Sequence, residues 1–386
     1  MRKKIVVTLL SAAMVATMVA GCGSKEAADT SADAATEEAA PEESADAEES
    51  TDAATAGGDY HFEVVVKSFQ SSYWQAALVG MDQAKEELGI TYNATGPNAE
   101  SDIADQVNML NNAINSAPNG IALAACDQGA VLDSLQTALD KQIPVVCFDT
   151  SVPDAPEGSV LSTVVTDNGA AGALAGEKIY EAVKDQIASA TAPVRIGEVN
   201  QDATSANISE RGMGFINKVI ELAKADGKTV AVVGNDFFVG QVEDNAAEAD
   251  ADIILEVAVP AQTTVELCST EASKIMNEAD TIAIFGSNQT AAEGVLTANQ
   301  NLNVLGADGT IVGAGFDAGA TIKAAVSDGT FIGAVTQSPL VMGKKALETL
   351  TQICNGETVE ENIPTDGYWY DATTMTDADI APNLYD

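Results

Sequence analysis

The chain has 386 residues, enough for two domains of ordinary size, and 46% of them are hydrophobic, so it can bury sizeable cores. Its formal charge of −40 excludes a nucleic-acid partner and electrostatic binding to anionic lipid headgroups, and disfavours polyanionic ligands unless a local cationic site overrides the field. A single histidine, His61, leaves no His-based zinc site and no Ser/His triad; no metal site and no cofactor is expected.

In chain order, the first element is a targeting segment. Met1 to Lys4 is basic, Ile5 to Ala20 is apolar, and Val19-Ala-Gly-Cys22 closes the run. The apolar stretch is short of the roughly 20 residues a spanning helix needs. Basic start, apolar run and V-A-G-C in this order resemble the signal and lipobox of bacterial lipoproteins. The resemblance implies a signal peptide over 1–22, lipidation at Cys22, and an extracytoplasmic protein lipid-anchored to the cell membrane. Residues 23–58 carry Ala, Glu, Asp, Ser and Thr with no aromatic or large aliphatic side chain. Such a stretch cannot bury enough surface to offset its ordering entropy and is expected to be a disordered acidic tether.

From Tyr60 the pattern alternates. HFEVVVKSF predicts a strand, and Tyr73 to Leu88 a helix stopped by Gly89. ITYNATG predicts a strand, and Ser101 to Ser116 a helix with Ser101 as its N-cap. GIALAAC and Ile143 to Phe148 are continuous apolar runs, as in strands buried on both faces, with a helix over Gly129 to Lys141 between them. The pattern then restarts: SVLSTVVTDN, PVRIGEVNQ, DIILEVAVPA, TIAIFGSN, TIVGAGFD and FIGAVTQSP read as strands. Helices are predicted over 169–187, through Gly212 to Ala225, over 264–278, from Gln289 to about Gln300, and over 340–355. The alternation implies α/β architecture with two doubly wound parallel-sheet lobes. Residues 227–248 do not fit it and could hold an extra strand or a surface insertion. Cys126, Cys147, Cys268 and Cys354 show no close pair or CxxC spacing, and buried free thiols are expected.

Ligands of parallel α/β sheets bind beyond the carboxyl ends of the strands. There the sequence places Ser71, Tyr73 and Trp74, then Asp149-Thr150, Arg211, Asn288, Asp317 and Gln337. Two carboxylates, a guanidinium, two amides and two flat rings suit a polyol, which offers many hydroxyls around an apolar ring face. Bland readings stand beside this one. Trp74 could fill a core corner, each aspartate could cap a helix or form a turn, Asn288 could be a plain N-cap, and Arg211 could pair with Glu210.

The stretches SSYWQAALVGMDQAKEELG, NGIALAACDQGAVLDSL, IPVVCFDT, TSANISERGMGF, IFGSNQTAAEGVL, GAGFD and AVTQSP resemble, in order and spacing, the type I periplasmic sugar-binding proteins, the group with ribose-, galactose- and xylose-binding proteins and the LacI-type core. The resemblance implies a periplasmic binding protein type I fold: two lobes joined by a three-segment hinge that close on a ligand. It places an N-terminal lobe at 59–166 plus 338–364 and a C-terminal lobe at 167–337 plus 365–386. The crossings fall near Thr166-Asp167, Thr336 to Ser338, and Pro364 to Gly367. It assigns ligand contacts to Ser71, Tyr73, Trp74, Asp149, Thr150, Arg211, Asn288, Asp317 and Gln337. Where relatives have an arginine this chain has Thr150, and near Gln262 and Thr263 it lacks a ring; both depart from a ribose site. The tail from Gly367 is expected to pack on the second lobe, with Trp369 structural.

The function implied is a solute-binding protein, not an enzyme, that delivers a monosaccharide or similar polyol to the permease subunits of an ABC importer, as a monomer. Alternatives are a sensing receptor for a two-component or chemotaxis system, or a binder of nucleosides or a furanosyl signalling molecule. A hydrolase lacks a GxSxG elbow and a histidine base.

Overall fold

A computed structural model describes residues 59–385. The signal, the Cys22 lipidation site and the acidic tether lie outside the described residues. No helix among the described residues is long and apolar enough to cross a membrane.

The first lobe is built on a six-stranded parallel sheet. Its strands are β1 (His61–Val65), β2 (Thr91–Thr95), β3 (Gly120–Leu123), β4 (Val145–Phe148), β5 (Ser162–Thr166) and β12 (Asn362–Thr365), in the order β12-β5-β4-β3-β1-β2. One face is covered by α1 (Ser72–Leu88) and α10 (Pro339–Cys354), whose apolar sides meet Phe62, Val64, Ala122 and Val146. The other is covered by α2 (Ile103–Asn115) and α3 (Leu132–Asp140) over Val65, Ile121, Leu123 and Cys147. Strands covered on both faces must be apolar throughout, and β3 and β4 are buried at every position.

The second lobe has seven strands. They are β6 (Val194–Val199), β7 (Val230–Gly234), β8 (Ile253–Ala258), β9 (Thr281–Gly286), β10 (Val312–Phe316), β11 (Ala334–Thr336) and β13 (Tyr368–Tyr370), in the order β13-β11-β10-β9-β6-β8-β7. Only the edge strand β13 runs antiparallel, against β11. Helices α4 (Asn168–Ser189) and α5 (Ala206–Ala225) cover one face, and α7 (Val265–Met276), α8 (Gln289–Leu302) and α9 (Ala320–Ser327) the other. The chain passes between the sheets after β5, after β11 and after β12.

Local chemistry explains most boundaries. The Ser71 hydroxyl accepts the Tyr73 N–H to start α1, and Gly89 ends it in the left-handed region at φ 68°. One expectation needs correction. Ser101 is not the cap of α2: Asp102 holds that position, without a side-chain bond to the helix. The unplaced 227–248 stretch holds the edge strand β7 and the short helix α6 (Asp236–Gln241), and Asn245 bonds both backbone groups of Val232. Helix α9 lies between Gly319 and Gly329, both at positive φ. Cys126, Cys147, Cys268 and Cys354 are free, and the first three are buried.

Candidate functional site

The strands of both sheets end towards a shared cleft. Asp149 follows β4 and Asp317 follows β10, each directly after a phenylalanine, and both have positive φ, 64° and 73°. A non-glycine residue in that region is strained, and the surroundings must hold it there. Both carboxylates are buried. Asp149 accepts from the Tyr73 hydroxyl and from Asn207 Nδ2 at 3.1 Å, and lies 3.3 Å from the Lys67 ammonium. Asp317 accepts from the Gln289 backbone N–H at 2.9 Å and from Gln337 Nε2 at 2.7 Å.

Each aspartate has a cation on its own lobe. Lys67, just after β1, is buried and donates to Thr150 Oγ1 at 2.9 Å and to Asn207 Oδ1 at 3.0 Å. Burial alone would lower its pKa, but Asp149, Glu100 and Asp202 outweigh that and hold the ammonium above its ordinary value. Arg211, in α5, lies flat on Phe316, 3.6 Å from the ring centre. Its Nη1 donates to the Ser287 carbonyl at 2.8 Å and its Nη2 to Asn168 Oδ1 at 2.7 Å. Burial lowers the Arg211 pKa, and Asp317 and Asp149 oppose this. Burial raises that of Asp317, opposed first by Arg211. An arginine side chain is not deprotonated in proteins, so the guanidinium remains charged.

Of the nine residues singled out in the sequence, Ser71, Tyr73, Trp74, Asp149, Arg211, Asn288, Asp317 and Gln337 line one cavity. Thr150 does not; it sits behind Lys67 as the acceptor of its proton. Glu210 makes no pair with Arg211 across a hydrogen bond; Arg211 points inward instead. Asn288 both caps α8, accepting the Ala291 N–H at 3.1 Å, and donates to Gln201 Oε1 in the cleft. Lys67, Glu100, Gln201, Asn207 and Gln289 also line it, with Ile208 and Thr290, and none was among the residues singled out. Lys67 read as the end of a strand and Gln289 as the first turn of a helix, so neither stood out.

The rings are walls rather than an open platform. Trp74 and Tyr73 meet edge to face with centres 4.9 Å apart, and Trp74 meets Phe148 the same way at 6.1 Å. The Trp74 indole donates to Glu100 Oε1 at 2.8 Å. Thus Trp74 fills a core corner and lines the cleft at once.

Polar groups reach across the cleft from both sides. Ser71 Oγ donates to Gln289 Oε1 at 2.9 Å, Gln201 Nε2 to Glu100 Oε2 at 2.6 Å, and Lys67 to Asn207 as above. The cavity between them measures about 20 Å³, room for about one water. An outer chamber of about 380 Å³ adjoins it at the mouth, sharing Ser71, Glu100, Gln289 and Thr290. The inner lining counts three carboxylates, Glu100, Asp149 and Asp317, against the two cations Lys67 and Arg211.

Two α/β lobes with a buried polar cleft between their strand ends define a hinge-type binding fold rather than a catalytic one. Residues 62–358 match the model of the periplasmic binding protein domain, and the chain belongs to that family. Its members bind solutes and catalyse nothing. An ABC transporter solute-binding protein from Agrobacterium vitis with bound D-fucose is 26% identical, covers 84% of this chain and 100% of its own, and superposes with a TM-score of 0.70. A protein from Brachyspira murdochii, described as an ABC transporter, LacI family transcriptional regulator, is 30% identical over 85% of this chain and 99% of its own, at a TM-score of 0.69. A second Agrobacterium vitis solute-binding protein, with α-D-tagatopyranose, is 19% identical over 85% and 100%, and shares the fold at a TM-score of 0.71. No match was found among curated proteins.

Proposed function

We propose that the chain is a membrane-tethered solute-binding protein of an ABC importer, taking a neutral monosaccharide or similar polyol between its lobes. The observation that carries this reading is the matched pair of buried aspartates, Asp149 and Asp317, one from each lobe, each with its own cation. Each side of a polyol would meet an acceptor for its hydroxyl protons and a donor for its oxygens. These groups bond to one another across the closed cleft, so a ligand would exchange them one for one and close the lobes by bridging both walls. An excess of carboxylates disfavours sugar acids and sugar phosphates. The D-fucose-bound relative supports the same ligand class. Anchoring would run through Cys22, and the closed form is the state a permease would recognise; the protein acts as a monomer.

The test is a thermal-shift and calorimetry panel of pentoses, hexoses, polyols, uronic acids, sugar phosphates and nucleosides. A bound sugar at 100 times its Kd would stabilise the fold by about 2.7 kcal/mol. Binding of a neutral sugar and no anionic analogue is expected. Binding only of nucleosides or of anions would sink the reading. Cys22→Ala protein should leave the membrane fraction of its host; retention would refute the anchor.

A further inference from the structure

The last described residues touch both lobes. Met375, Ile380 and Leu384 do pack against the second-lobe core around Ile322, Phe331 and Tyr370. Tyr385 instead packs against the first-lobe core, its ring centre 5.8 Å from that of Tyr73 and tilted 76° to it. Its backbone stays on the second lobe: the Tyr385 carbonyl accepts the Gly319 N–H at 3.1 Å, and its hydroxyl accepts the Ala318 N–H at 3.3 Å. Ala318 and Gly319 directly follow Asp317, so the same short loop carries the second-lobe acid and holds this ring. Two residues earlier, Asn383 grips one of the chain's crossings between lobes. Its carbonyl accepts from Thr336 Oγ1 at 2.8 Å and its Oδ1 from Ser338 Oγ at 2.6 Å.

We infer that Tyr385 is a positioning residue of the interlobe cleft: a ring mounted on the second lobe and seated against Tyr73 of the first, which favours the closed arrangement and thereby sets ligand affinity. The ring contact exists only when the lobes are together, so its free energy counts only in that state, as a differential interaction must if it is to shift the equilibrium. An edge-to-face aromatic pair contributes about 0.5–1.5 kcal/mol beyond its area. Tyr73 is the residue whose hydroxyl bonds Asp149, so the same contact orients a first-lobe acid. Burial first, and then the Asp317 carboxylate, hold the Tyr385 phenol well above its ordinary pKa, so the ring meets Tyr73 uncharged.

The inference rests on the cleft being the ligand site, and the experiment separates the two. Small-angle scattering of the full chain, alone and with the best sugar of the panel, would be compared for wild type, Tyr385→Ala, Tyr385→Phe and Ile380→Ala, alongside calorimetry and melting. Tyr385→Ala should enlarge the radius of gyration and weaken sugar binding about tenfold. Tyr385→Phe, which keeps the ring, should restore both. Ile380→Ala, which trims a side chain packed on the second-lobe core and leaves the Tyr385 contacts in place, should lower Tm with closure and affinity unchanged. If Tyr385→Ala scatters and binds as wild type does, or if Ile380→Ala changes closure as much, the inference fails. If no sugar in the panel binds, the ligand reading fails, while the sugar-free scattering still decides on Tyr385.

Discussion

The two walls of the cleft repeat one device with different parts. In the first lobe Phe148-Asp149 ends β4, and in the second Phe316-Asp317 ends β10; both aspartates sit at positive φ and both are buried. The first acid has a lysine 3.3 Å away, whose ammonium is held by Thr150 and Asn207. The second has an arginine, held by a carbonyl, an amide oxygen and a ring face. A lysine head is a compact point charge that pairs directly with its carboxylate. An arginine plane divides its donors among several acceptors and stacks as well. The first wall is therefore a closed ion pair, the second an open array with one guanidinium N–H, Nε, unbonded to protein.

That difference predicts unequal losses. Arg211→Met removes the second wall's only cation, orphans the Ser287 carbonyl and Asn168, and leaves Asp317 buried without a counter-charge. Truncating a buried, hydrogen-bonded charged group in a binding site costs about 2–5 kcal/mol of affinity, so sugar binding should fall on the order of 100-fold by calorimetry. Lys67→Met leaves Asp149 with the Tyr73 and Asn207 donors and should cost less, about 2 kcal/mol. Equal losses, or a larger one for Lys67, would break the comparison.

Helix packing gives a second test. In each lobe a helix pair meets through glycine. A methyl at Gly80 in α1 would strike the Leu340 carbonyl of α10, and one at Gly172 in α4 would strike the Arg211 carbonyl of α5. Both alanine variants should lose about 1–3 kcal/mol by overpacking, read as a lower Tm. Only Gly172→Ala moves the backbone that carries Arg211, so at matched destabilisation it should weaken binding more than Gly80→Ala does.

The cores differ as well. The first lobe buries Gln106 with every group bonded: to Val66 O at 3.1 Å, Ala124 O at 2.8 Å and Cys126 N at 2.8 Å. The second buries Glu198 with neither carboxylate oxygen at hydrogen-bond geometry, beside Asn200, which is likewise unbonded. Burial pushes the Glu198 pKa well above its ordinary value. The folded state then keeps a proton that the unfolded chain releases above about pH 4.5, so stability present in acid is lost as pH rises through the folded-state value. Glu198→Gln should remove that slope. Its Tm relative to wild type should be higher at pH 8 than at pH 5. A pH-independent difference would mean Glu198 ionises freely.

The sequence revealed those parts of this site that obey a positional rule. Asp149, Asn288, Asp317 and Gln337 stand directly after apolar strands, where a parallel sheet presents its ligand end. Tyr73 and Trp74 stood out as bulky rings in a turn. Lys67 escaped because it continues the run of valines in β1. Glu100, Gln201 and Asn207 escaped because loops and first helical turns are rich in such residues for capping alone. Tyr385 was beyond reach for another reason: it comes to the cleft through tail packing some 70 residues after Asp317, and no local pattern encodes that contact. Likewise β7 and α6 were illegible because an edge strand and a single short helix carry little periodicity.

Thr150 offers the finest distinction between the walls. Among the nine residues picked out by position, it alone lies off the cavity, accepting from Lys67 at 2.9 Å while its hydroxyl stands 3.4 Å from Asp149 Oδ2. If it acts only by aiming the ammonium, Thr150→Val should cost about 1 kcal/mol, a fewfold loss of affinity, and add nothing once Lys67 is already methionine. If it touches ligand directly, the double variant should lose the sum of the two single effects. The cycle Lys67→Met, Thr150→Val and both together, measured by calorimetry, decides whether Thr150 acts through the Lys67 ammonium or on the ligand itself.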